Sequence, residues 1–420
     1  ARDILIIGNG GREDALAESL LKSDKIETIY ISPQVGFSHE QIKSINIDVS
    51  DLEALRNFAL EKHIDLTIVG PELPLNMGIV DFFKEKELKI FGPDKKSAYL
   101  EGSKDFSKEF MEEYGIPTAR YERFDDYDEA RSCLGIYGYP QVIKADGLCA
   151  GKGVYICKDP NEAEEALKEI FLEDRFGDEA SKIIVEDYID GPEVSLLCFV
   201  SGNKIYPMDT AMDYKKIGEG DRGPNTGGVG CISPNPYWTD KLQLQSDEII
   251  KRIEKGLEDR DLGYSGILFI GYIIDGSKLK VLEFNTRFGD PETEVLLPRL
   301  ESSLLDNIMD SLEERPVKMA WSSKKAVGVI LTSKGYPLAY ESGYEIKGLD
   351  RLDQDLILYH NGTRLEGKSL QTNGGRVLSL LALGENLEEA RNKVYENIKK
   401  IECSNLTYRK DIARLGKKTL

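Results

Sequence analysis

Two lysines flank a glycine-rich turn in the segment Val142-Ile143-Lys144-Ala145-Asp146-Gly147-Leu148-Cys149-Ala150-Gly151-Lys152-Gly153-Val154. Glycines let backbone N–H groups come close to phosphate oxygens, and lysine adds positive charge there. The spacing is not that of a Walker loop. Three residues separate Gly147 from Gly151, and Gly153 rather than Ser or Thr follows Lys152. A flexible hairpin tip would carry the same residues, so the phosphate reading depends on partners elsewhere in the chain.

Such partners stand at 281–293, Val281-Leu282-Glu283-Phe284-Asn285-Thr286-Arg287-Phe288-Gly289-Asp290-Pro291-Glu292-Thr293. On a strand, Glu283 and Asn285 share one side, because successive side chains alternate. Two oxygen ligands on one face suit magnesium; a salt-bridged strand end is the plainer alternative. Arg287 follows and can pair bidentately with a carboxylate or a phosphate. The chain has three histidines, His39, His63 and His360, and none lies in a charged or glycine-rich motif. A His-based zinc site and a Ser-His-Asp triad are therefore disfavoured, and any metal is expected on oxygens.

A third candidate is the turn Gly8-Asn9-Gly10-Gly11-Arg12-Glu13 after the apolar run 3–7. It is not a dinucleotide fingerprint. Glu13 occupies the third glycine position, and the next strand ends at Ser32-Pro33 without an acidic residue for a ribose. A helix N-terminus beside Arg12 suits a single phosphate group better, with a tight strand–helix turn as the alternative. Val69-Gly70-Pro71-Glu72 falls at a strand's carboxyl end, where doubly wound sheets place ligands. The polar, glycine-rich stretch from Asp213-Tyr214-Lys215-Lys216 to Gly223-Pro224-Asn225-Thr226-Gly227-Gly228 reads as a substrate-facing loop.

These residues need positioning elements. Strands at 3–10 (running into glycines), 26–31, 64–69 and 88–91, alternating with helices, predict an N-terminal parallel, doubly wound sheet. Ser103 is placed to cap a helix carrying Lys104 and Lys108, which ends at Gly115-Ile116-Pro117. A small α+β unit follows, with strands at 119–124, 140–145, Val154–Ile156 and 182–188 and helices at 128–134 and 162–171. A hairpin turns at 201–204, residues 247–257 form a helix, and 266–275 is a strand. Residues 324–420 read as a last α+β domain, with strands near 326–332, 344–347 and 356–360 and a helix over 387–401.

At 420 residues the chain has room for two to four domains. The boundaries expected are 1–103, 104–322 with a lid at about 119–192, and 323–420. A formal net charge of −19 argues against a nucleic-acid or bilayer-surface partner but not against small anions, since local cations can override the global field. The six cysteines (133, 149, 157, 198, 231 and 403) show no C-x-x-C pair, no apolar run reaches membrane-spanning length, and the chain enters a strand at once. Reduced thiols, a cytoplasmic location and no signal peptide are the expectations.

Taken together, the glycine loop, Val185-Glu186, Glu193 and Glu283-Phe284-Asn285 resemble the ATP-grasp ligases. Gly8 to Glu13, Ile68 to Glu72, Gly223 to Gly228, Arg287 to Thr293, Thr372-Asn373-Gly374-Gly375-Arg376-Val377 and Tyr408-Arg409-Lys410-Asp411-Ile412 extend the likeness. From end to end the chain is similar to the glycinamide ribonucleotide synthetase (phosphoribosylamine–glycine ligase) family. The resemblance implies a central ATP-grasp fold and an ATP-dependent ligation of glycine to 5-phosphoribosylamine, with magnesium or manganese, by a monomer. It implies that Lys104 and Lys144 contact nucleotide phosphates, covered by Gly147, Gly151, Lys152 and Gly153. Val185 and Glu186 would face the adenine, Glu193 the ribose, and Glu283 and Asn285 the metal. Gly10, Gly11, Pro71, Glu72, Asn225, Thr226, Gly289, Asp290, Pro291 and Glu292 would face the other substrates. Lys144, Asp213, Lys215 and Arg287 would carry the chemistry.

Two departures bear on this reading. The family's Gly-Arg-Glu-His is Gly11-Arg12-Glu13-Asp14 here, and its Asp-His-Lys-Arg is Asp213-Tyr214-Lys215-Lys216. Asp14 in a first helical turn favours the dipole, whereas facing a phosphate it would be repelled. Lys216 keeps a charge but lacks the guanidinium fork. Three rivals follow: another ATP-grasp ligase, a dinucleotide-dependent oxidoreductase, and a catalytically silent nucleotide-binding regulator.

Overall fold

Side chains of β1 (Asp3–Ile7) alternate between two cores. Ile4 and Ile6 enter one that reaches into the middle of the chain, and Leu5 and Ile7 enter another, under local helices. A strand apolar on both faces is buried on both faces, as a doubly wound sheet requires. In order come α1 (Gly11–Leu20), β2 (Thr28–Ser32), β3 (Ile42–Ser44), α2 (Leu52–Glu61), β4 (Leu66–Val69), α3 (Glu72–Met77), α4 (Ile79–Lys84) and β5 (Ile90–Phe91). The five strands run parallel in the order β3-β2-β1-β4-β5. The parallel sheet expected from the sequence is present; β3 is a strand that the sequence reading did not contain.

The computed structural model describes residues 2–146, 153–172 and 182–416. Gly147, Gly151 and Lys152 of the expected phosphate loop lie outside these residues. The chain continues through α5 (Lys95–Gly102) into α6 (Lys104–Glu113), where the Ser103 hydroxyl accepts from Phe106 N–H at 3.1 Å as the expected cap. Then follow β6 (Tyr121–Phe124), α7 (Tyr127–Ser132), β7 (Gln141–Ala145), β8 (Val154–Cys157), α8 (Pro160–Phe171) and β9 (Ile183–Asp187). These strands form an antiparallel sheet, β6-β9-β7-β8, over its own core of Ala130, Ile143, Ala166, Leu167 and Val185. Lys144 pairs with Val154 across the β7–β8 hairpin, so the glycine segment connects two adjacent strands, as read.

Next in the chain are β10 (Glu193–Ser201), β11 (Lys204–Asp213), β12 (Lys216–Gly218), β13 (Arg222–Asn225), β14 (Gly230–Ser233), α9 (Asp240–Asp259), β15 (Gly266–Asp275), β16 (Lys278–Asn285), α10 (Glu292–Leu296) and α11 (Leu304–Leu312). The last part holds β17 (Lys325–Ser333), β18 (Ile357–His360), β19 (Thr363–Glu366), β20 (Ser369–Thr372), β21 (Arg376–Gly384), α12 (Leu387–Ile398) and β22 (Leu406–Thr407). One strand path, β16-β15-β10-β11-β14-β17-β21-β18, joins the middle of the chain to its last part through the β14–β17 pairing. The strand expected at 344–347 is reduced to isolated bridges from Glu345 to Gln371 and from Lys347 to Glu402. Among the described residues no helix is long and apolar enough to cross a membrane.

Candidate functional site

Strand ends and loops from the N-terminal and middle parts of the chain meet at one cleft. Glu72 and Glu101 line it from the N-terminal side, Lys104, Lys108, Lys144 and Gly153 from the small sheet and α6, and Asp213, Lys215, Glu283, Asn285, Arg287, Asp290 and Glu292 from the long sheet. Lys144 and Gly153, described residues on either side of the glycine turn, thus share a cleft with 283–285.

Glu283 and Asn285 stand two residues apart near the end of β16, opposite Gly271 and Phe269 of β15. The cleft walls oppose the charge on Glu283, but Lys215, Lys144, Lys104 and Arg287 outweigh them and hold its carboxyl below the usual range. A carboxylate kept ionised beside an amide oxygen is a donor set for a hard cation.

On the opposite wall, Lys104 Nζ donates to the Ala145 carbonyl at 2.9 Å, and Lys104 N–H donates to Asp146 at 2.6 Å. Lys144 Nζ lies 2.6 Å from Glu186, whose other oxygen contacts Lys108. Lys108 also donates to the Thr118 hydroxyl at 2.9 Å, and that hydroxyl donates to the Val281 carbonyl. Burial works against the charge of Glu186, but Lys144 and Lys108 keep its pKa below the carboxylate range. Burial also works against Lys144, where Glu186 and Glu283 prevail and raise its pKa; for Lys108 burial prevails and lowers it. The sequence placed Lys108 on this helix without giving it a role, and it is 3% exposed. Val185 departs from the expectation in another way. Its side chain is fully buried in the small sheet's core, because odd and even positions of β9 face opposite sides, so only its backbone is left to meet a nucleobase.

The third wall is built on Asp213 and Lys215 at the end of β11. Lys215 Nζ lies 3.4 Å from Glu193, which with Glu283 and Asp213 raises its pKa against burial. Burial and then Glu292 push the Asp213 carboxyl well up, and its buried Oδ1 has no hydrogen-bond partner. Gly228 (φ +121°) passes so close to Asp213 and Pro291 that a side chain there would collide with both. Asn225 is exposed at the end of β13, and the Thr226 hydroxyl is spent on its own loop, donating to the Lys215 carbonyl at 2.7 Å.

Arg287 sits between two carboxylates, 3.3 Å from Glu72 and 3.3 Å from Glu101. Glu101 was not singled out in the sequence; its second oxygen accepts from Thr286 N–H at 2.8 Å. The first turn of α1 is also occupied by carboxylates. Gly10 N–H donates to Glu13 at 2.7 Å and Arg12 N–H to Asp290 at 3.2 Å. The Arg12 guanidinium contacts Glu13 and donates to the Phe288 carbonyl at 3.1 Å. Gly10 lies against Asp290, Gly11 under Asn361, and Gly289 against Glu292; Pro71 precedes α3. These four hold the loops that present Arg12, Glu72 and Asp290 and do not themselves line the cleft.

The last part of the chain, for which the sequence offered no separate chemistry, reaches the site through four side chains. Arg376 donates to the carbonyls of Gly227 and Asp290, both at 3.0 Å, and the Tyr336 hydroxyl accepts from Gly227 N–H at 3.1 Å. Arg409 donates to the Lys216 carbonyl and to Asp221, both at 3.0 Å, while Asp411 accepts from Gly220 N–H at 2.9 Å. The β12–β13 hairpin beside Lys215 is therefore clamped from the C-terminal segment. The available signal was charged residues inside the motifs at 372–377 and 408–412.

Family models match the chain in three consecutive parts. The phosphoribosylglycinamide synthetase N domain covers residues 2–101, its ATP-grasp (A) domain 102–293 and its C domain 326–415. A phosphoribosylamine–glycine ligase of Caldanaerobacter subterraneus subsp. tengcongensis is 46% identical over 98% of this chain and 99% of its own. The crystal structure of the Thermotoga maritima phosphoribosylamine–glycine ligase aligns with a TM-score of 0.85 at 30% identity, covering 98% of this chain and 100% of that one. The biotin carboxylase domain of Hydrogenobacter thermophilus 2-oxoglutarate carboxylase shares the fold, with a TM-score of 0.75 at 16% identity over 97% of this chain and 91% of that one. Matched along nearly all its length by both sequence and structure, the chain belongs to the phosphoribosylglycinamide synthetase family.

Proposed function

We propose that the chain ligates glycine to 5-phosphoribosylamine with cleavage of ATP, giving glycinamide ribonucleotide, ADP and phosphate through a glycyl phosphate, in purine biosynthesis. The observation that carries this reading is the shared cleft, where Lys104 and Lys144 oppose the ionised Glu283 and Asn285. Two anions, a carboxylate and a triphosphate, approach each other only where such charge is held in place.

In this reading Lys104 and Lys144 hold the nucleotide phosphates, Glu193 meets the ribose, and Leu100, Met111, Ile184 and Leu282 offer the base an apolar surface. Glu283 and Asn285 fit magnesium or manganese. Among the described residues no three His, Cys, Asp or Glu side chains gather into a protein-only cage, so an ion held by Glu283 and Asn285 would need further oxygens from phosphate or water. When bound, the ion neutralises charge on the transferring phosphoryl group. Arg287, fixed by Glu72 and Glu101, and Lys215, fixed by Glu193, orient the glycine carboxylate toward the γ-phosphorus. A carboxylate oxygen forms the new P–O bond and ADP leaves. The amine nitrogen of phosphoribosylamine then bonds the acyl carbon and phosphate leaves. Asp213 Oδ1 is suited to take the amine proton, being an unpartnered buried acceptor with a raised pKa. The turn 289–292 and the 225–228 loop enclose these steps.

The same reading gives a cytoplasmic monomer with small-molecule partners. Its test is ADP release with glycine plus 5-phosphoribosylamine, compared with bicarbonate and with other amino acids. Glycine-dependent release is expected, and release with bicarbonate instead would overturn it. Glu283→Gln is expected to lower turnover at least about 100-fold and to raise the magnesium requirement. Unimpaired ligation in that variant would remove Glu283 from the metal site.

A further inference from the structure

Beneath the substrate turn, two carboxyl groups each bury one oxygen that no hydrogen-bond donor reaches. Glu294 is on α10, just past the turn 289–292, and is 1% exposed. Its Oε2 receives a long bond from the Ser379 hydroxyl at 3.4 Å; its Oε1 and Asp290 Oδ1 are both buried without a donor. The two carboxyl groups act on each other directly across the start of α10. Two ionised carboxylates repel and neither can donate, so a single proton held between them turns that repulsion into a hydrogen bond.

The surroundings put that proton on Glu294. Burial and the charge of Asp290 push the Glu294 carboxyl well up, whereas Arg376 and Arg12 overcome burial at Asp290 and hold its carboxyl low. Asp290 and Glu292 face Glu294 from its own turn and helix, Arg376 and Ser379 from β21, Tyr359 and Asn361 from β18, and Cys231 from β14. Arg376 is the one cation in that set. Burial raises the pKa of both Tyr359 and Cys231, which keeps them neutral.

Asp290 is a joint between parts of the chain. Its Oδ2 accepts from Arg12 N–H at the start of α1, and Arg376 Nη1 lies 3.6 Å from its Oδ1. We propose that Glu294, in its protonated form, is a positioning residue: by donating to Asp290 it fixes the 289–292 turn between α1 and Arg376, and ligation persists only while the pair keeps its proton. The positioning role rests on the ligation proposed above; the shared proton does not.

Two measurements on the full chain separate them. The first is kcat/KM for 5-phosphoribosylamine between pH 6 and 9.5, for the parent, Glu294→Gln and Glu294→Ala. Gln supplies a donor that does not titrate, so Glu294→Gln is expected to remain active and to hold its activity to a higher pH than the parent. Ala leaves Asp290 Oδ1 without a donor and is expected to lose about ten- to a hundred-fold at every pH. The second is Tm without substrates over the same range. A raised folded-state carboxyl pKa means stability is lost as pH rises above the unfolded value and through the folded one. The Tm of either variant minus that of the parent should therefore grow with pH. Matching alkaline limbs in parent and Glu294→Gln, or Glu294→Ala as active as Glu294→Gln, would overturn the positioning role. A pH-independent Tm difference would overturn the proton. If the parent ligates nothing, the proposed function fails while the Tm comparison still tests the pair.

Discussion

Glu186→Gln removes the carboxylate that two lysines share inside the cleft wall. Lys144 keeps the attraction of Glu283, so Lys108 bears the loss; its remaining polar contact is the Thr118 hydroxyl at 2.9 Å. Breaking a buried pair from one side costs about 3–5 kcal/mol. An independent ceiling follows from proton release. A lysine with an ordinary pKa of 10.5 can shed its proton at pH 7 for roughly 5 kcal/mol, which bounds the penalty. That ceiling falls about 1.4 kcal/mol per pH unit, to about 2 kcal/mol at pH 9. The sign is fixed. In the variant the folded-state pKa of Lys108 is depressed, the unfolded chain binds more protons, and stability rises with pH until the unfolded value is passed. Several cores make global unfolding a poor two-state process, so the assay is hydrogen exchange at the β7 and β9 amides, Ile143 and Val185 among them. The expected outcome is a local stability loss of about 3–5 kcal/mol at pH 7 that shrinks by pH 9, with a higher KM for ATP. A loss below about 1 kcal/mol, or one equal at both pH values, would refute the idea that Glu186 neutralises Lys108.

Asp14 offers a second titration. Burial pushes its carboxyl up to about 8, so the folded protein holds a proton that the unfolded chain releases above about 4. Stability is then lost as pH rises through that window, by about 3 kcal/mol between pH 5 and 7. Asp14→Asn keeps an acceptor for His360 N–H and removes the titration, so its Tm should gain on the parent from pH 5 to pH 7; parallel curves would count against it. Arg409→Lys keeps the charge but not the fork that holds Lys216 and Asp221. It is expected to lose about tenfold in kcat/KM for 5-phosphoribosylamine, with the KM for ATP unchanged. A matching rise in the KM for ATP would show that the clamp is not local to the substrate hairpin.

The elements legible in the sequence were those whose pattern is local. β1 and β4 read as unbroken apolar runs because both faces are buried, and the β7–β8 hairpin read as two apolar stretches around glycines. β3 was hidden because one of its three residues, Ile42, is buried. α9 starts at Asp240 rather than at 247, since Thr239 caps it and Leu242 extends its buried stripe. In the site, side chains that would touch ligands were visible as motifs, while their supports were not. Glu101, Lys108 and Arg376 act through contacts over long sequence separations, and nothing adjacent to them marks that partner. The small sheet fooled the reading differently. Val185 follows the apolar pattern of its strand, and that same pattern sends it into the core rather than into the cleft.

The departures at 14 and 214 were the footing for a silent regulator, and their placement removes it. Asp14 is 4% exposed, and its carboxyl accepts from His360 N–H at 2.8 Å, pointing from α1 toward β18 and not toward the cleft. A neutral acid so placed neither repels a phosphate nor occupies its space. Tyr214 is 9% exposed; its hydroxyl accepts from Ala413 N–H at 3.1 Å, and its ring lies 5.1 Å from the Arg409 guanidinium. Strand alternation sends it to the face opposite Asp213 and Lys215, where it braces the clamp on the hairpin. Lys216 gives its carbonyl to Arg409, a bond that any side chain at 216 permits. Each change therefore falls on contacts between parts of the fold, while Asp213, Lys215, Glu283 and Arg287 keep their places around the cleft. A loss of catalysis caused by these substitutions would have to come from altered domain contacts, and restoring His at 14 or 214 should then move Tm before it moves turnover.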